Sequence, residues 1–373
     1  MSAWVVSSSL VSPLGFTTEE NYAKVRKQIS GLSEINNPAL SINPIFAGHI
    51  RTLSDSPIHT RFERMGEKAA DIALRNIALN PARTLYILST TKGNIELLTP
   101  EGYDPVKIHL HATSKLLAGK AGFKHHLVVS NACISGVLAI IVAKRFLDAG
   151  KYDHCIILGV DTLSQFVISG FESLRALSPE MCKPFDAERK GINLGEAASC
   201  LVLSSKPEKL GVHPSVRVTG VGLSNDANHI SGPSRTGLEL ASAIRKALQE
   251  AQTAPDKIDF ISAHGTATIF NDEMESKAFN HVGMENILLH SLKGYFGHTL
   301  GAAGVVESVL SIQSLLNDEI LVSKGFENMG VSQTLNISRE LMNKPITSFI
   351  KTASGFGGCN AAIVFRKELY HSI

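Results

Sequence analysis

His126-Leu127-Val128-Val129-Ser130-Asn131-Ala132-Cys133-Ile134-Ser135-Gly136-Val137-Leu138 joins an apolar, β-branched run to a polar hinge and then to a long apolar segment of helical character. The pattern is a strand that turns sharply into a helix. Cys133 stands at the turn, where a sulfur can face the first unpaired N–H groups and the positive end of the helix dipole. Free cysteine titrates near about 8.5, and such a position is expected to lower that value and to make the nucleophilic thiolate available. A lone cysteine beside apolar residues is otherwise a small buried hydrophobe. Which reading holds depends on the rest of the chain.

Outward from this elbow, the helix runs to about Leu147, ends at Asp148-Ala149-Gly150 and delivers a buried strand, Cys155 to Val160. The run from His298 through Gly301, Val305 and Leu316 to Asn317-Asp318 repeats the elbow and its helix. Gly195 to Leu203 resembles Gly357 to Phe365 in the same way. The two offsets, 165 and 162 residues, nearly agree. They indicate two halves of one α/β plan, residues 1–210 and 211–373, joined where Ser, Pro, Lys and Gly cluster at Lys206 to Gly211. A duplicated five-layer αβαβα arrangement with a site between the halves is the simplest architecture for strands and helices that alternate throughout. Nearer the N-terminus, Trp4 to Val11 reads as a strand and Thr17-Thr18-Glu19-Glu20 as a helix start. Residues 31–58 read as a surface excursion. Arg61 to Leu79 reads as an amphipathic helix with Arg61, Arg64 and Lys68 on its wet side, and Leu85 to Leu88 as a buried strand.

A chain of 373 residues, 44% of them hydrophobic, can bury a large core. Its 36 basic and 34 acidic residues leave a formal charge of +2, which argues against nucleic acid or an anionic membrane as partner. The five cysteines (133, 155, 182, 200, 359) are scattered, without the spacing of a disulfide framework or a zinc site. No uncharged run reaches the roughly 18 residues of a membrane span, and Met1 to Val6 lacks the form of a secretion signal. The expectation is a cytoplasmic protein in a reducing compartment.

Three further segments carry chemistry. His264-Gly265-Thr266-Ala267-Thr268 follows the strand Ile258 to Ile261, so an imidazole and two hydroxyls emerge at a strand end. Lys293-Gly294-Tyr295-Phe296-Gly297-His298-Thr299 precedes a Gly/Ala-rich helix start. Ser354-Gly355-Phe356-Gly357-Gly358 is a glycine-dense turn whose backbone N–H groups suit an oxyanion. A histidine between glycines is ordinarily structural, and glycines ordinarily mark turns. The joint occurrence of all these segments at strand–helix junctions is what marks a site.

Together with the elbow, they resemble the signature of the β-ketoacyl-acyl-carrier-protein synthases of the elongating Cys-His-His type, within the thiolase-like fold. Val11-Ser12-Pro13-Leu14-Gly15, Arg175-Ala176-Leu177-Ser178, Lys183-Pro184-Phe185-Asp186 and Asn225-Asp226-Ala227-Asn228-His229 extend the resemblance over nearly the whole chain. It implies Cys133 as the acyl-accepting nucleophile, faced by His264 and His298, with Lys293 and Glu307 as a supporting ion pair. It further implies that Thr266 and Thr268 hold a phosphopantetheine arm. The backbone N–H groups of Cys133 and Phe356 would form the oxyanion hole, with Phe356 gating the acyl pocket and Phe356 and Gly357 both binding substrate. Asp226 would support the site from a neighbouring loop. Arg175 would dock an acidic acyl carrier protein, with Arg61, Arg64 and Lys68 as weaker candidates. The implied reaction is decarboxylative condensation of an acyl group on Cys133 with malonyl carrier protein. It requires no metal and no cofactor beyond the phosphopantetheine on the substrates.

The chain departs from the family pattern at Arg189-Lys190-Gly191, Gly195-Glu196-Ala197 and Ser354, and residues 90–125 look trimmed, which leaves chain-length preference open. A thiolase-type acyltransferase would show a second Cys-x-Gly near the C-terminus, where this chain has Cys359-Asn360-Ala361. A non-catalytic chain-length subunit would lack Cys133. The resemblance implies dimerisation through about His125 to Ser130, with either a second copy or a related subunit in a fatty-acid, polyene or polyketide pathway.

Overall fold

The computed structural model describes residues 3–53, 56, 58–98, 103–227 and 229–368. An eleven-stranded sheet runs through it: β1 Ala3–Val11, β2 Thr84–Ser89, β3 His126–Val129, β4 His154–Asp161, β5 Ala197–Ser204, β6 Val216–Asn225, β7 Phe260–Ser262, β8 Leu288–His290, β9 Asn336–Ile337, β10 Ser348–Gly355 and β11 Cys359–Lys367. Its spatial order is β9-β8-β7-β10-β11-β6-β1-β5-β4-β2-β3. The repeat is visible in that order. In the first half β1 lies antiparallel to β5, β5 antiparallel to β4, and β4-β2-β3 are parallel. In the second, β6, β11, β10, β7 and β8 repeat the same order and directions. Within this sheet, among the described residues, the halves join through β1 and β6, at Ala3↔Val218 and Trp4↔Arg217.

The helices that position the site are α1 Arg61–Leu74, α2 Leu110–Lys120, α3 Ser135–Asp148, α4 Gln165–Ser173, α5 Leu238–Glu250, α6 Ile269–Val282 and α7 Ala303–Leu316. Strands such as β4 and β5 are buried along their whole length, as continuous apolar runs between two layers must be. Three apolar cores separate the layers. Phe62 and Met65 of α1 and Leu117 of α2 pack on Tyr86, Ile156 and Val202 of the first half. Ile244 and Leu248 of α5 and Phe279 of α6 pack on Ile261, Ile350 and Val364 of the second. Between the halves, Ile140, Leu147, Val305 and Leu310 of α3 and α7 meet Leu201 on one side and Phe260, Phe349 and Phe365 on the other. The fold is the expected five-layer duplication, with both elbow helices in its central layer.

That layer is thin where α3 and α7 start. A Cβ on Gly136 would lie 2.7 Å from Val305 N, and one on Gly304 only 2.4 Å from Val137 N, so each glycine admits the other helix's backbone. The two elbows are thereby brought side by side.

The structure differs from the sequence reading in three elements. Residues 31–58 include strands Leu32–Ile35 and Ile45–Gly48, which pair with each other, the second continuing to Leu194–Gly195. α1 ends at Leu74 instead of Leu79, where Ile77 N–H bonds back to Leu74 O. Arg61 is not on the wet side: its guanidinium reaches inward to the fully buried Glu196, with Nε 3.0 Å from Oε2.

Candidate active site

Cys133 sits four residues after the end of β3 and two before the start of α3. The turn is strained, with Ala132 at φ 44°. Ser135 fastens it: its Oγ accepts from Asn131 N–H at 2.7 Å and donates to Ala132 O at 2.6 Å. Across the central layer, the duplicated elbow after β8 and the loop after β7 present His298 and His264. The Cys133 sulfur and the nearest ring nitrogens of both histidines lie within 4.8 Å of one another, and all three residues are buried. The imidazoles meet edge to face, ring centres 5.1 Å apart. Neither ring nitrogen of His298 has a hydrogen-bond partner among the described residues, and nor does Nδ1 of His264. Buried imidazoles with spare nitrogens beside a thiol are poised for something the protein itself does not supply.

Lys293, fully buried, donates to His264 O at 2.9 Å and pairs with Glu307 of α7. Burial first, and then the nearby ammonium groups of Lys293 and Lys351, hold both imidazoles well below the usual histidine range. Both rings are therefore neutral, each with one N–H to donate. Cysteine with two histidines is also a zinc donor set, but the two ammonium groups behind these rings oppose a divalent cation. The thiol departs from expectation. Burial pushes Cys133 up to about 11, against the smaller opposite pulls of Lys293, the Phe356 N–H and Lys92. Desolvation of the sulfur outweighs these pulls, so the resting group is a thiol instead of a pre-formed thiolate.

Two family models match the chain: the beta-ketoacyl synthase N-terminal domain over residues 116–209 and the C-terminal domain over residues 216–327. The chain belongs to the β-ketoacyl synthase family. It is 33% identical to nodulation protein E of Rhizobium leguminosarum bv. trifolii over 64% of its own length and 61% of that protein's. It is 25% identical to 3-oxoacyl-[acyl-carrier-protein] synthase 2 of Vibrio cholerae over 97% of this chain and 98% of that one. A solved structure of the ketosynthase ApeO in complex with its chain length factor ApeC, from Xenorhabdus doucetiae, superimposes with a TM-score of 0.89 at 26% identity, covering 98% of each chain.

In this β-ketoacyl synthase, Cys133, His264 and His298 stand at the floor of a cleft of about 680 Å³. One wall is apolar, with Phe171, Leu174, Ala176 and Ile192. Thr266 and Thr268 also line the cleft, their hydroxyl oxygens 2.8 Å apart. Phe356 stands at the mouth, 40% exposed and stacked on Phe171 at 6.0 Å. Its N–H points to the Cys133 sulfur, and a Cβ on the preceding Gly355 would lie 3.1 Å from Cys133 N. Gly357 does not line the cleft. Its N–H is spent on Ile230 O at 2.7 Å, and it serves the turn with φ 85°. Asp226 lies on the rim, where Oδ2 accepts from Ser234 N–H at 2.9 Å. Arg175 is exposed beside the rim residues Leu174 and Ala176.

Several residues that hold the site escaped the sequence reading. Glu275 of α6 accepts from His264 N–H at 2.9 Å and Gly265 N–H at 2.6 Å, and its carboxyl is pushed up to about 7 by burial and by Asp272. Asp272 accepts from Thr266 N–H at 2.9 Å. Asp161, at the end of β4, accepts from Thr90 Oγ1 at 2.8 Å, Thr91 N–H at 2.9 Å and Gly301 N–H at 2.6 Å, tying β2's exit to the His298 elbow. Lys351 of β10, fully buried, pairs with Glu307 from the other side. The signal for Lys351 was a lysine inside the strand Ser348-Phe349-Ile350-Lys351-Thr352-Ala353, where apolar neighbours leave a cation nothing but an internal partner. Among the described residues no helix is long and apolar enough to cross a membrane.

Proposed function

We propose that this chain is a 3-oxoacyl-[acyl-carrier-protein] synthase, which condenses an acyl group held on Cys133 with malonyl carrier protein. The observation that carries the reading is one buried thiol facing two neutral imidazoles. In the first half-reaction the Cys133 sulfur attacks the carbonyl of an acyl-carrier thioester. The phosphopantetheine thiol leaves with the proton that Cys133 gives up, relayed by a neutral imidazole. Malonyl carrier then enters, its arm lying along Thr266 and Thr268. As the bond to the carboxylate breaks, CO₂ leaves and its electron pair passes into the thioester as an enolate. Donated N–H groups from His264 and His298 stabilise the enolate oxygen. The α-carbon attacks the acyl-Cys133 carbonyl, whose oxyanion faces the N–H groups of Cys133 and Phe356, and collapse of the adduct expels the Cys133 sulfur. No metal or bound cofactor takes part.

The partner is an acyl carrier protein, and the second subunit is a copy of this chain or a related chain-length subunit. β3 supports the latter point: it is the terminal strand of the sheet, with one edge unpaired among the described residues. The likeness to a ketosynthase/chain-length-factor complex supports it further. The halves 1–210 and 211–373 are proposed as the nucleophile-bearing and histidine-bearing domains of a cytoplasmic enzyme. Incubation with acyl and malonyl carrier thioesters, followed by intact mass spectrometry, tests the function. An acyl adduct on Cys133 and a 3-oxoacyl carrier product are expected, and neither forming would refute it.

A further inference from the structure

Three consecutive backbone carbonyls lead into the histidine after β7, and each accepts from a buried ammonium. Lys351 Nζ lies 3.3 Å from Ser262 O and 3.0 Å from Ala263 O, and Lys293 Nζ lies 2.9 Å from His264 O. The two ammonium groups share one carboxylate, that of Glu307. The arrangement follows from strand alternation. Phe349, Lys351 and Ala353 alternate onto one face of β10, and Phe349 and Ala353 belong to the core between the halves, where α7 brings Glu307. An ammonium has three protons and no acceptor. Lys351 donates to Ser262 O and Ala263 O and stands in ion-pair contact with Glu307, which is how a lysine with no exposure is tolerated there. On the other side of His264, Glu275 holds the N–H groups of His264 and Gly265. The histidine's backbone is thus clamped from both directions.

We propose that Lys351 is a positioning residue for malonyl decarboxylation: with Lys293 it makes Glu307 the bridge of a two-ammonium cluster, which fixes His264 and sets a second ammonium near the paired imidazoles. This rests on the condensing reading above. One carboxylate between two ammonium groups leaves that trio a charge of +1, with the Glu275 carboxyl also close enough to act on Lys351. That charge does two things. It disfavours imidazolium in both rings, as its part in their depression shows. It also favours the enolate, whose negative charge develops where the two imidazoles donate. The first half-reaction builds no enolate, and the influences that act most on the Cys133 thiol are burial, Lys293 and the Phe356 N–H.

The test is Lys351→Met, with Lys351→Gln as a second neutral variant whose amide still donates to Ser262 O and Ala263 O. Both leave a balanced Lys293–Glu307 pair, so the fold is expected to survive. Acylation of Cys133 and decarboxylation of malonyl carrier protein are measured separately across pH. The groups facing the imidazoles are Lys293, Lys351, Glu307, Glu275 with Asp272 behind it, and Cys133. Removing one cation raises the pH at which the rings protonate, so the acid limb of decarboxylation moves to higher pH. Its plateau falls, by less than the roughly 10²–10³ that loss of a direct oxyanion donor costs, while acylation falls much less. Glu275 shifts in the same direction, so ¹⁵N shifts of the imidazoles read the rings directly. Lys351→Arg, which keeps the charge, should return the limb toward wild type. Equal loss of acylation and decarboxylation with an unmoved limb, or a limb displaced equally by Arg and the neutral residues, would overturn the proposal. Wild-type protein that fails to decarboxylate malonyl carrier would instead overturn the condensing reading itself.

Discussion

At Cys133 two influences oppose each other, and burial wins. Alkylation by iodoacetamide should therefore keep accelerating with pH toward about 11, instead of levelling off near pH 7 as a pre-formed thiolate would; an early plateau would restore the activated resting thiolate. The division of labour around the sulfur can be read by substitution. Cys133→Ala is expected to lose condensation while malonyl carrier is still decarboxylated, because enolate stabilisation needs only the imidazoles; condensation by that variant at the wild-type rate would end the mechanism. His264→Ala and His298→Ala should each lose about 10²–10³ in decarboxylation, the usual cost of one oxyanion donor. Each should still form acyl-Cys133. If one of them cannot be acylated, that histidine is the indispensable base for the thiol, and the assignment of both as enolate donors fails. The residue types at these three positions were legible because chemistry demands them. Lys351 and Glu275 were not, because their roles exist only once β10 and α6 are packed behind His264.

Elements built from long apolar runs were read nearly to their ends: β1, β4 and α3 match their expected spans within two residues. Strands of four residues in polar surroundings, such as Leu32–Ile35 and Ile45–Gly48, were read as loop, since so short a run gives little alternation to detect. The expected helix past Leu74 failed for a related reason: Ile77 and Leu79 keep the apolar spacing, yet the chain turns before Asn80-Pro81. The crossing of α3 and α7 offers a prediction at this scale. Gly304→Ala would set a methyl 2.4 Å from Val137 N, which the two packed helix starts cannot relieve without moving apart. A loss of roughly 1–3 kcal/mol is expected from such overpacking, read as a lowered Tm, together with slower acylation because the Cys133 elbow shifts with α3. An unchanged Tm would mean that the helices are less tightly held than their spacing implies. The turn at Phe356 is tied differently. Gly357 N–H bonds to Ile230 O, Asp226 N–H to Gly358 O at 2.8 Å, and Asn225 Nδ2 to Gly357 O at 3.0 Å. Turn and loop should therefore move together if Phe356 gates the pocket. Crystals with and without an acyl group on Cys133 should show two Phe356 rotamers, and a single unchanged one would make the ring a static plug.

The duplication was legible in the whole molecule as two similar offsets, but the strand order was not, because it depends on which strands meet after the halves fold onto one central layer. Nor does local sequence separate an inward arginine from an outward one. Arg61 and Arg175 were both read as surface charges. Arg61 serves Glu196 inside the protein, whereas Arg175 stays in solvent at the end of α4, held at φ 52° by a turn in which its N–H donates to Glu172 O at 2.8 Å. Its neighbours Leu174 and Ala176 line the cleft, and exposed Phe270 and Arg235 stand among the cleft's other residues. The rim thus offers cations and apolar side chains around the path that a phosphopantetheine arm must follow to reach Thr266 and Thr268. An acidic carrier approaching this rim is steered by charge, and that attraction weakens as salt shortens the screening length, about 10 Å at 0.1 M. Arg175→Glu should raise KM for carrier substrates several-fold at low salt and flatten its salt dependence. kcat should hold, because Arg175 is outside the group of residues around Cys133. A short pantetheine thioester without the carrier protein should be used equally well by both forms. Equal KM for carrier substrates at low salt would remove Arg175 from the docking surface, and a matching loss with the short thioester would show that the substitution had disturbed the cleft and not the encounter.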